Sequence, residues 1–247
     1  ITGKPNYPLG KVFEGYKLCS FDIQYINKIK VHRVPIIPRG LKKPLRLALN
    51  YLSYMFFASF YATINLFKIK YNVIYIYGTS PIIQAIPGII LGKLRGIPIV
   101  LNVQDLWPES LYATGYIKNK YILKIVDLVV DFIYKKSNLI LVSSRPFKTI
   151  IQKYNTKAKI KYFPNSVDSI FLDNKPNKVE NLLFKKGFNI VFAGNLGSAQ
   201  SIKTIIGLAK GILKLKKINI YIFGDGSEFK YMQEEKKRNK LSNLHLM

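Results

Sequence analysis

Cysteine and histidine are scarce in this chain of 247 residues. The single cysteine, Cys19, excludes an internal disulfide framework and a cluster of thiolate metal ligands, and it fits a reducing compartment. The two histidines, His32 and His245, leave almost no material for a histidine-rich metal site or a Ser–His–Asp triad. The chemistry of the protein is therefore expected to depend on other residue types.

Acidic residues are few as well: 13 Asp and Glu stand against 39 Lys and Arg, which gives a formal net charge of +26. A surface of this sign attracts phosphate on nucleic acid, on anionic lipid or on a lipid-linked diphosphate. The lysines are scattered and form no single block, and a general compositional bias toward Lys, Ile, Asn and Tyr is an alternative source of the charge. The charge indicates a class of partner and does not identify one.

Charge is missing altogether from residues 47–67, a segment about as long as the ~20 residues that span a bilayer, and no secretory signal is visible. Asn50, Ser53 and Asn65 are costly in hydrocarbon and argue against a spanning helix. Apolar residues recur at helical spacing, as expected of a core-packed or membrane-surface helix: Leu49, Leu52, Phe56, Phe60 and Ile64. The sequence leaves both alternatives open.

Short apolar runs alternate with helical patterns from about residue 30 onward. Strands are predicted at 31–37, 72–77, 97–103, 138–142 and 159–163. Helices are predicted at 45–67, 81–96, 119–136 and 146–154, with Ser80 as the cap of the second. The strands are continuous apolar runs, which is typical of a parallel sheet covered by helices on both faces.

Residues 165–187 interrupt this rhythm with Pro, Asn and Asp, and are interpreted as an interdomain connector between domains at 1–164 and 188–247. The second domain repeats the alternation, with strands at 189–193, 218–223 and 243–247 and helices at 200–216 and 227–240. Three strands do not complete a doubly wound half, and the chain opens on what looks like a strand end. The sequence thus predicts an α/β fold of two Rossmann-like domains, both truncated.

The most distinctive segment, Asp105-Leu106-Trp107-Pro108-Glu109-Ser110, follows the predicted strand 97–103. Ligands of open parallel sheets sit beyond the carboxyl ends of strands. Asp105 and Glu109 could accept hydrogen bonds from sugar hydroxyls, while the ring of Trp107, the only tryptophan, packs on a sugar ring. The alternative is structural: Asp105 caps a helix and Glu109 complements its dipole.

Two glycine turns follow strands of the second domain, and each opens a helix. Glycines let backbone amides approach phosphate at a helix N-terminus. The candidate residues for binding a phosphate-bearing ligand are Gly194, Asn195, Gly197, Gln200, Gly224 and Gly226. Both turns are equally typical of tight strand-to-helix connections, and neither has the GxGxxG or Walker pattern.

The chain contains no Asp-x-Asp pair, an arrangement in which two hard carboxylates can bind Mg²⁺ or Mn²⁺ beside a phosphate. Its absence predicts that phosphate is neutralised without a metal, by helix N-termini and basic residues, and no cofactor is expected. Thr79 and Ser80 could offer hydroxyls to an acceptor or to phosphate, although helix capping is the simpler role.

These segments, in this order, resemble glycosyltransferase family 4 and more narrowly the bacterial WbuB-type amino-sugar transferases of O-antigen and capsule synthesis. The matching stretches are Thr2-Gly3-Lys4-Pro5-Asn6-Tyr7-Pro8, Phe13-Glu14-Gly15-Tyr16, Thr79-Ser80-Pro81, Gln104 to Ser110, Phe163 to Asp168, Gly194 to Gln200, and Gly224-Asp225-Gly226. The resemblance implies a GT-B fold with the active site in the cleft between two Rossmann-like domains.

The resemblance further implies retaining, metal-independent transfer from a UDP-sugar, often N-acetylated, to a lipid-linked acceptor. By the same resemblance, the enzyme would work in the cytoplasm at the inner membrane face. Its partners would include the membrane surface, to which it binds peripherally, and no nucleic acid. Asp105 and Glu109 would be catalytic. The residues assigned to the acceptor or the cleft are Thr79, Ser80, Gln104, Trp107, Arg145 and Asn165.

Some positions depart from the family pattern. Gln104 stands where family members commonly have His, and Asn195 and Gln200 stand where they place Arg and Lys against the diphosphate. Arg145 and Lys203 are the nearby candidate cations. A glycine-rich loop is expected before residue 1 and a pair of glutamates after Met247, so the chain as given is expected to be inactive.

Three rival functions remain beside glycosyl transfer. A non-catalytic membrane-associated scaffold would bind the ligand without transferring sugar. A nucleic-acid-binding protein is suggested by the charge alone, since the tyrosines lie mostly inside apolar runs. A nucleotide-cofactor oxidoreductase is disfavoured by the spacing of both glycine turns.

Overall fold

The computed structural model describes residues 1–7, 9–40, 44–114, 119–154, 156–172, 184–197, 200–215 and 217–247. The chain divides into two compact units, Ile1–Ser166 (unit 1) and Val167–Met247 (unit 2). The division falls inside the predicted connector, 165–187, of which residues 173–183 lie outside the described part. The connector itself stays a prediction.

Unit 1 contains seven strands and five α-helices among its described residues. The strands are β1 (Thr2–Gly3), β2 (Asp22–Ile26), β3 (Ile29–Val34), β4 (Ile74–Gly78), β5 (Ile99–Val103), β6 (Leu139–Val142) and β7 (Lys159–Tyr162). The helices are α1 (Pro44–Asn65), α2 (Ile86–Arg95), α3 (Glu109–Thr114), α4 (Lys120–Lys136) and α5 (Arg145–Gln152). A 3-10 turn, Ile82–Ala85, leads directly into α2.

The main sheet of unit 1 is fully parallel, in the order β4-β5-β6-β7. Ile76, Leu101 and Ile140 are neighbours in the register of adjacent strands, and they lie on one buried face that α2 and α4 cover. On the opposite face of the edge strand β4, Tyr75 and Tyr77 are 51% and 53% exposed. The expectation of two covered faces is therefore wrong for this edge of the sheet.

Capping residues in the sequence explain where two helices that pack on the main sheet begin or end. Asn119 caps α4, because its side-chain oxygen accepts hydrogen bonds from Tyr121 N at 2.9 Å and Ile122 N at 3.3 Å. Gly96 ends α2 in the left-handed conformation, with φ of 65°, as a C-terminal glycine commonly does. The predicted end of this helix at Gly96 is confirmed.

A smaller sheet, in the order β1-β3-β2, precedes α1. β2 and β3 form an antiparallel hairpin whose two turn residues, Asn27 and Lys28, have φ of 49° and 67°. Positive φ at both positions is the backbone of a type I′ turn, which matches the twist of the flanking strands. The sequence pattern predicts β3 and misses β2.

Helix α1 buries only a narrow face of small and polar residues, Ser53, Ala58, Tyr61 and Ala62. This face packs on α2, β1 and β3. Among the described residues, α1 is the one helix long and apolar enough to cross a membrane by length and composition, and 22% of its most apolar window is buried.

Unit 2 contains a parallel three-stranded sheet in the order β10-β9-β8. Its strands are β8 (Phe188–Ala193), β9 (Ile218–Phe223) and β10 (Leu244–Leu246), and its α-helices are α6 (Ile202–Gly211) and α7 (Phe229–Arg238). Ile206, Ile220 and Met232 centre the core. Glu235 on α7 ties the two helices together by accepting a hydrogen bond from Lys210 on α6 at 3.1 Å.

Acid is expected to destabilise unit 1 through His32. His32 Nδ1 lies 2.8 Å from Tyr61 Oη in the core, and burial, assisted by Lys30, lowers the pKa of His32 below its usual 6.5. A histidine with a lowered pKa binds more protons when unfolded, so stability is lost as pH falls through 6.5, by at most about 1.4 kcal/mol per pH unit.

Chemical unfolding between neutral pH and about pH 5 measures this loss, since carboxylates with ordinary pKa values titrate mainly below that window. The pKa of His245 is also lowered by burial, so both compared proteins carry His245→Gln. Adding His32→Gln should flatten the pH dependence. An unchanged slope would show that His32 does not report on folding.

Candidate functional site

The carboxyl ends of β4 and β5 bring two of the predicted segments side by side. Gly78, the last residue of β4, pairs with Val103, the last residue of β5. A Cβ atom at Gly78 would lie 2.8 Å from the carbonyl oxygen of Asn102, so only glycine lets the two strand ends approach this closely. The turn at Thr79 and the segment after Gln104 consequently leave the sheet as neighbours.

Ser80, Asp105 and Trp107 form one cluster at this edge. Ser80 Oγ donates to Asp105 Oδ2 at 2.8 Å and accepts from Trp107 Nε1 at 3.2 Å. Asp105 is exposed, and within the described residues no hydrogen bond reaches its other oxygen, Oδ1. Ser80 thus orients a carboxylate with one oxygen left for a ligand, beside an aromatic ring.

This cluster decides against the capping roles weighed for Ser80 and Asp105. The 3-10 turn at Ile82–Ala85 is preceded by Pro81 and has no side-chain cap, so Ser80 is not its cap. The carboxylate of Asp105 accepts from Ser80 across the strand ends. Helix α3 begins at Glu109, directly after Pro108, so Glu109 lies in a first helical turn, where a carboxylate complements the helix dipole.

A chain of amide hydrogen bonds joins two more predicted residues, Gln104 and Asn165. Asn165 Nδ2 donates to Gln104 Oε1 at 2.8 Å, and Gln104 Nε2 donates to Asn102 Oδ1 at 2.9 Å. Asn102 Nδ2 in turn donates to Tyr75 Oη at 2.6 Å. Sequence reasoning missed Tyr75 and Asn102, although a buried asparagine inside the apolar run of β5 was the available signal.

Thr79 and Arg145 occupy the same end of the sheet but join neither network in the described residues. The hydroxyl of Thr79 accepts a hydrogen bond from Gln84 Nε2 at 2.9 Å. Arg145 is the first residue of α5, and its guanidinium lies over the ring of Tyr162, 4.7 Å from the ring centroid. This cation–π contact holds the arginine at the end of β7.

Glu109 lies in different surroundings from Asp105. It lines a cavity of about 380 Å³ together with Asp127 and Tyr154, and its Oε2 atom is buried without a hydrogen bond. Burial and, to a smaller extent, the charge of Glu109 raise the pKa of Tyr134. The structure therefore does not bring the two predicted catalytic carboxylates into one cluster, and a role for Glu109 in catalysis stays a prediction.

The two glycine turns of unit 2 pack directly on each other. Gly194 N donates to Phe223 O at 2.9 Å, and Leu196 N donates to Asp225 O at 2.9 Å. A Cβ atom at Gly224 would lie 1.9 Å from the carbonyl oxygen of Gly194, and one at Gly226 would lie 2.5 Å from that of Leu196. Both glycines are thus needed where the ends of β8 and β9 leave the sheet.

Asn195, Gly197 and Gln200 also come together in unit 2. Gly197 N donates to Gln200 Oε1 at 3.1 Å, and a Cβ at Gly197 would lie 2.7 Å from Asn195 Nδ2. Ser198 and Ala199 of the same turn lie outside the described residues. Helix α6 begins at Ile202, two residues later than predicted, and exposed Lys203 lies in its first turn.

Comparison with known proteins identifies the fold. No protein-family model and no curated protein matches the chain. Three similar solved structures each have a TM-score of 0.52. S. aureus TarM is 13% identical over 78% of this chain and 36% of its own length, and a glycosyltransferase from Rickettsia africae is 14% identical over 87% of this chain and 54% of its own length. The pneumococcal O-GlcNAc transferase GtfA is 15% identical over 96% of this chain and 48% of its own length.

The chain spans between 36% and 54% of the length of these proteins. At identities of 13–15% the likeness bears on the fold alone. Parallel sheets with helical crossovers in both units agree with it. The chain has the α/β fold of GT-B glycosyltransferases, with Rossmann-like units, as the sequence predicts.

Proposed function

We propose that this chain is part of a glycosyltransferase that moves a sugar from a UDP-sugar to a lipid-linked acceptor in the synthesis of a bacterial surface polysaccharide. The fold supports the enzyme class. TarM was solved with UDP and a GlcNAc-bearing glycerol, and GtfA with UDP and GlcNAc. We propose the same type of donor for this chain, and an N-acetylated amino sugar as the transferred group.

The observation that carries the proposal is the pair of interlocked glycine turns in unit 2. They follow neighbouring parallel strands, at the end of the sheet where open α/β sheets bind ligands. The first turn leads into the N-terminus of α6, which favours an anion, and Lys203 adds a cation there. We assign the diphosphate to residues 194–200 and the nucleoside to the turn at 224–226.

Gln200 then has a defined part in binding. Its side-chain oxygen accepts the hydrogen bond of Gly197 N, which is the amide that a phosphate oxygen would take. A diphosphate would displace this oxygen, after which the amide group of Gln200 and that of Asn195 become donors to phosphate. In the resemblance to family 4, Asn195 and Gln200 stand where members place Arg and Lys, so we propose that the two amides take over part of the role of those cations.

In unit 1, we assign the Ser80, Asp105 and Trp107 cluster to a sugar. Ser80 fixes one carboxylate oxygen of Asp105, and the other can accept a hydrogen bond from a sugar hydroxyl. The indole ring of Trp107 offers an apolar face for a pyranose ring. Gln104 and Asn165, which hold each other at 2.8 Å, would border the same sugar.

We propose that transfer is retaining and needs no metal. The diphosphate leaving group would be stabilised by the donors of the 194–200 turn, so that catalysis comes from positioning and electrostatics rather than from a strong base. Family 4 membership of the WbuB type, and a cytoplasmic location against the inner membrane face, belong to the same proposal.

Calorimetric titration of the chain with UDP tests the assignment. We expect one site that binds UDP at least about tenfold more tightly than UMP. The second phosphate, which UMP lacks, would accept charge-assisted hydrogen bonds worth ~1.5–3 kcal/mol. Uridine, which has no phosphate, is the negative control. Equal affinity for UDP and uridine, or no heat with millimolar UDP, would rule out a diphosphate site.

A further inference from the structure

Helix α1 presents an apolar stripe on the side opposite its buried face. The stripe consists of six large side chains spaced three or four residues apart, 38–73% exposed: Leu45, Leu49, Leu52, Phe56, Phe60 and Ile64. This spacing places them along one side of the helix. A continuous exposed stripe of this kind on a surface helix marks an interaction site.

The serine and asparagine side chains of α1, and that of Thr63, have hydrogen-bond partners inside the unit. Ser59 Oγ donates to Met55 O at 2.7 Å, and Thr63 Oγ1 donates to Ser59 O at 3.0 Å. Asn50 Nδ2 donates to Ile37 O at 2.6 Å. These groups, which in sequence argue against contact with hydrocarbon, can therefore lose water without losing all their hydrogen bonds.

The sequence on both sides of the stripe carries positive charge only. Between Ile23 and Gln104 the sequence contains eleven Lys and Arg and no Asp or Glu. Arg46 lies in the first turn of α1, and Lys68 and Lys70 follow its last residue, Asn65. Apolar stripe and basic flanks together complement a bilayer with anionic headgroups, where each nearby basic residue adds attraction.

We propose that the α1 stripe docks on an anionic lipid bilayer, with the helix lying in the plane of the interface. The packing of α1 on α2, β1 and β3 favours this orientation, because a spanning helix would have to leave those contacts. The inference rests on the proposed function in one respect: a lipid-linked acceptor would explain why this unit should sit on a membrane.

Sedimentation with lipid vesicles tests the proposal. The probes are vesicles of phosphatidylcholine alone and of an equal mixture with phosphatidylglycerol. We expect the chain to bind the mixed vesicles. Phe56→Glu should weaken that binding at least about tenfold, because it puts a charge where the docked helix would insert an exposed aromatic ring into the bilayer. The matched control is Phe188→Glu in unit 2, because the ring of Phe188 is 67% exposed and that of Phe56 is 63% exposed. Vesicle binding by this control should stay within about twofold of wild type.

The outcomes separate this proposal from its alternatives. Failure of the wild-type chain to bind mixed vesicles, or equal binding by Phe56→Glu, would overturn it. A dimer in the absence of lipid that Phe56→Glu dissociates would also overturn it, and would assign the stripe to a second copy of the chain. Thermal unfolding confirms that both variants are folded, and UDP calorimetry is run in parallel. Intact UDP binding with vesicle binding lost supports the docking surface, while vesicle binding without UDP binding refutes only the proposed function.

Discussion

Replacing Gly224 with alanine should abolish UDP binding and lower the free energy of unfolding of unit 2 by about 1–3 kcal/mol. The new methyl group would lie 1.9 Å from the carbonyl oxygen of Gly194, a backbone atom that cannot rotate away. The two glycine turns would have to separate, and the hydrogen bond from Gly194 N to Phe223 O would lengthen or break. Denaturant unfolding and UDP calorimetry measure the two effects.

The control for this substitution is Gly207→Ala. Gly207 lies inside α6, and a methyl group there would meet no atom within 4 Å. Alanine should therefore stabilise unit 2 by about 0.5–1 kcal/mol through its better helix propensity, with UDP affinity unchanged. Wild-type stability and UDP affinity for Gly224→Ala would mean that the turns do not interlock in solution.

Replacing Asp105 with alanine should reduce sugar transfer by the intact protein about a hundredfold or more, with little change in stability. Asp105 is exposed, so its removal leaves no cavity, but Ser80 loses its acceptor and the sugar loses an oriented carboxylate. Transfer from radiolabelled UDP-GlcNAc to lipid extracts measures the loss.

Glu234→Ala is the control for Asp105. Glu234 is an exposed carboxylate within α7 of unit 2, outside the residues assigned to either ligand. Replacing such a surface residue changes little, so transfer should be unaffected. Undiminished transfer by Asp105→Ala would remove Asp105 from the site and leave Glu109 as the carboxylate to be tested.

The strand and helix pattern was predictable because buried parallel strands are short continuous apolar runs, and these alternate along the chain with segments of helical periodicity. The predicted strand 97–103 is found at Ile99–Val103, and the predicted helix 119–136 at Lys120–Lys136. The hairpin of β2 and β3 was not predictable in the same way. Its turn residues Asn27 and Lys28 both have positive φ, and this pair lacks the glycine that usually signals a type I′ turn.

The site was predictable only as far as local sequence determines it. The sequence places Ser80 after the predicted strand 72–77 and Asp105 and Trp107 after the predicted strand 97–103, and in the structure hydrogen bonds join the three side chains. The hydrogen bond between Asn165 and Gln104 joins residues 61 apart, and no local rule predicts it. The cavity that Glu109 lines depends on side chains of α4 such as Asp127, which is a matter of tertiary packing rather than of spacing.

Photolabelling with an azido-uridine derivative of a UDP-sugar tests most directly where the nucleotide binds. If the interlocked turns form the nucleotide site, the label should map to peptides that contain residues 194–200 or 224–228, and excess UDP should suppress it. Label confined to unit 1, or labelling of unit 2 that UDP does not suppress, would contradict the assignment of the nucleotide to the carboxyl end of the β8 and β9 sheet.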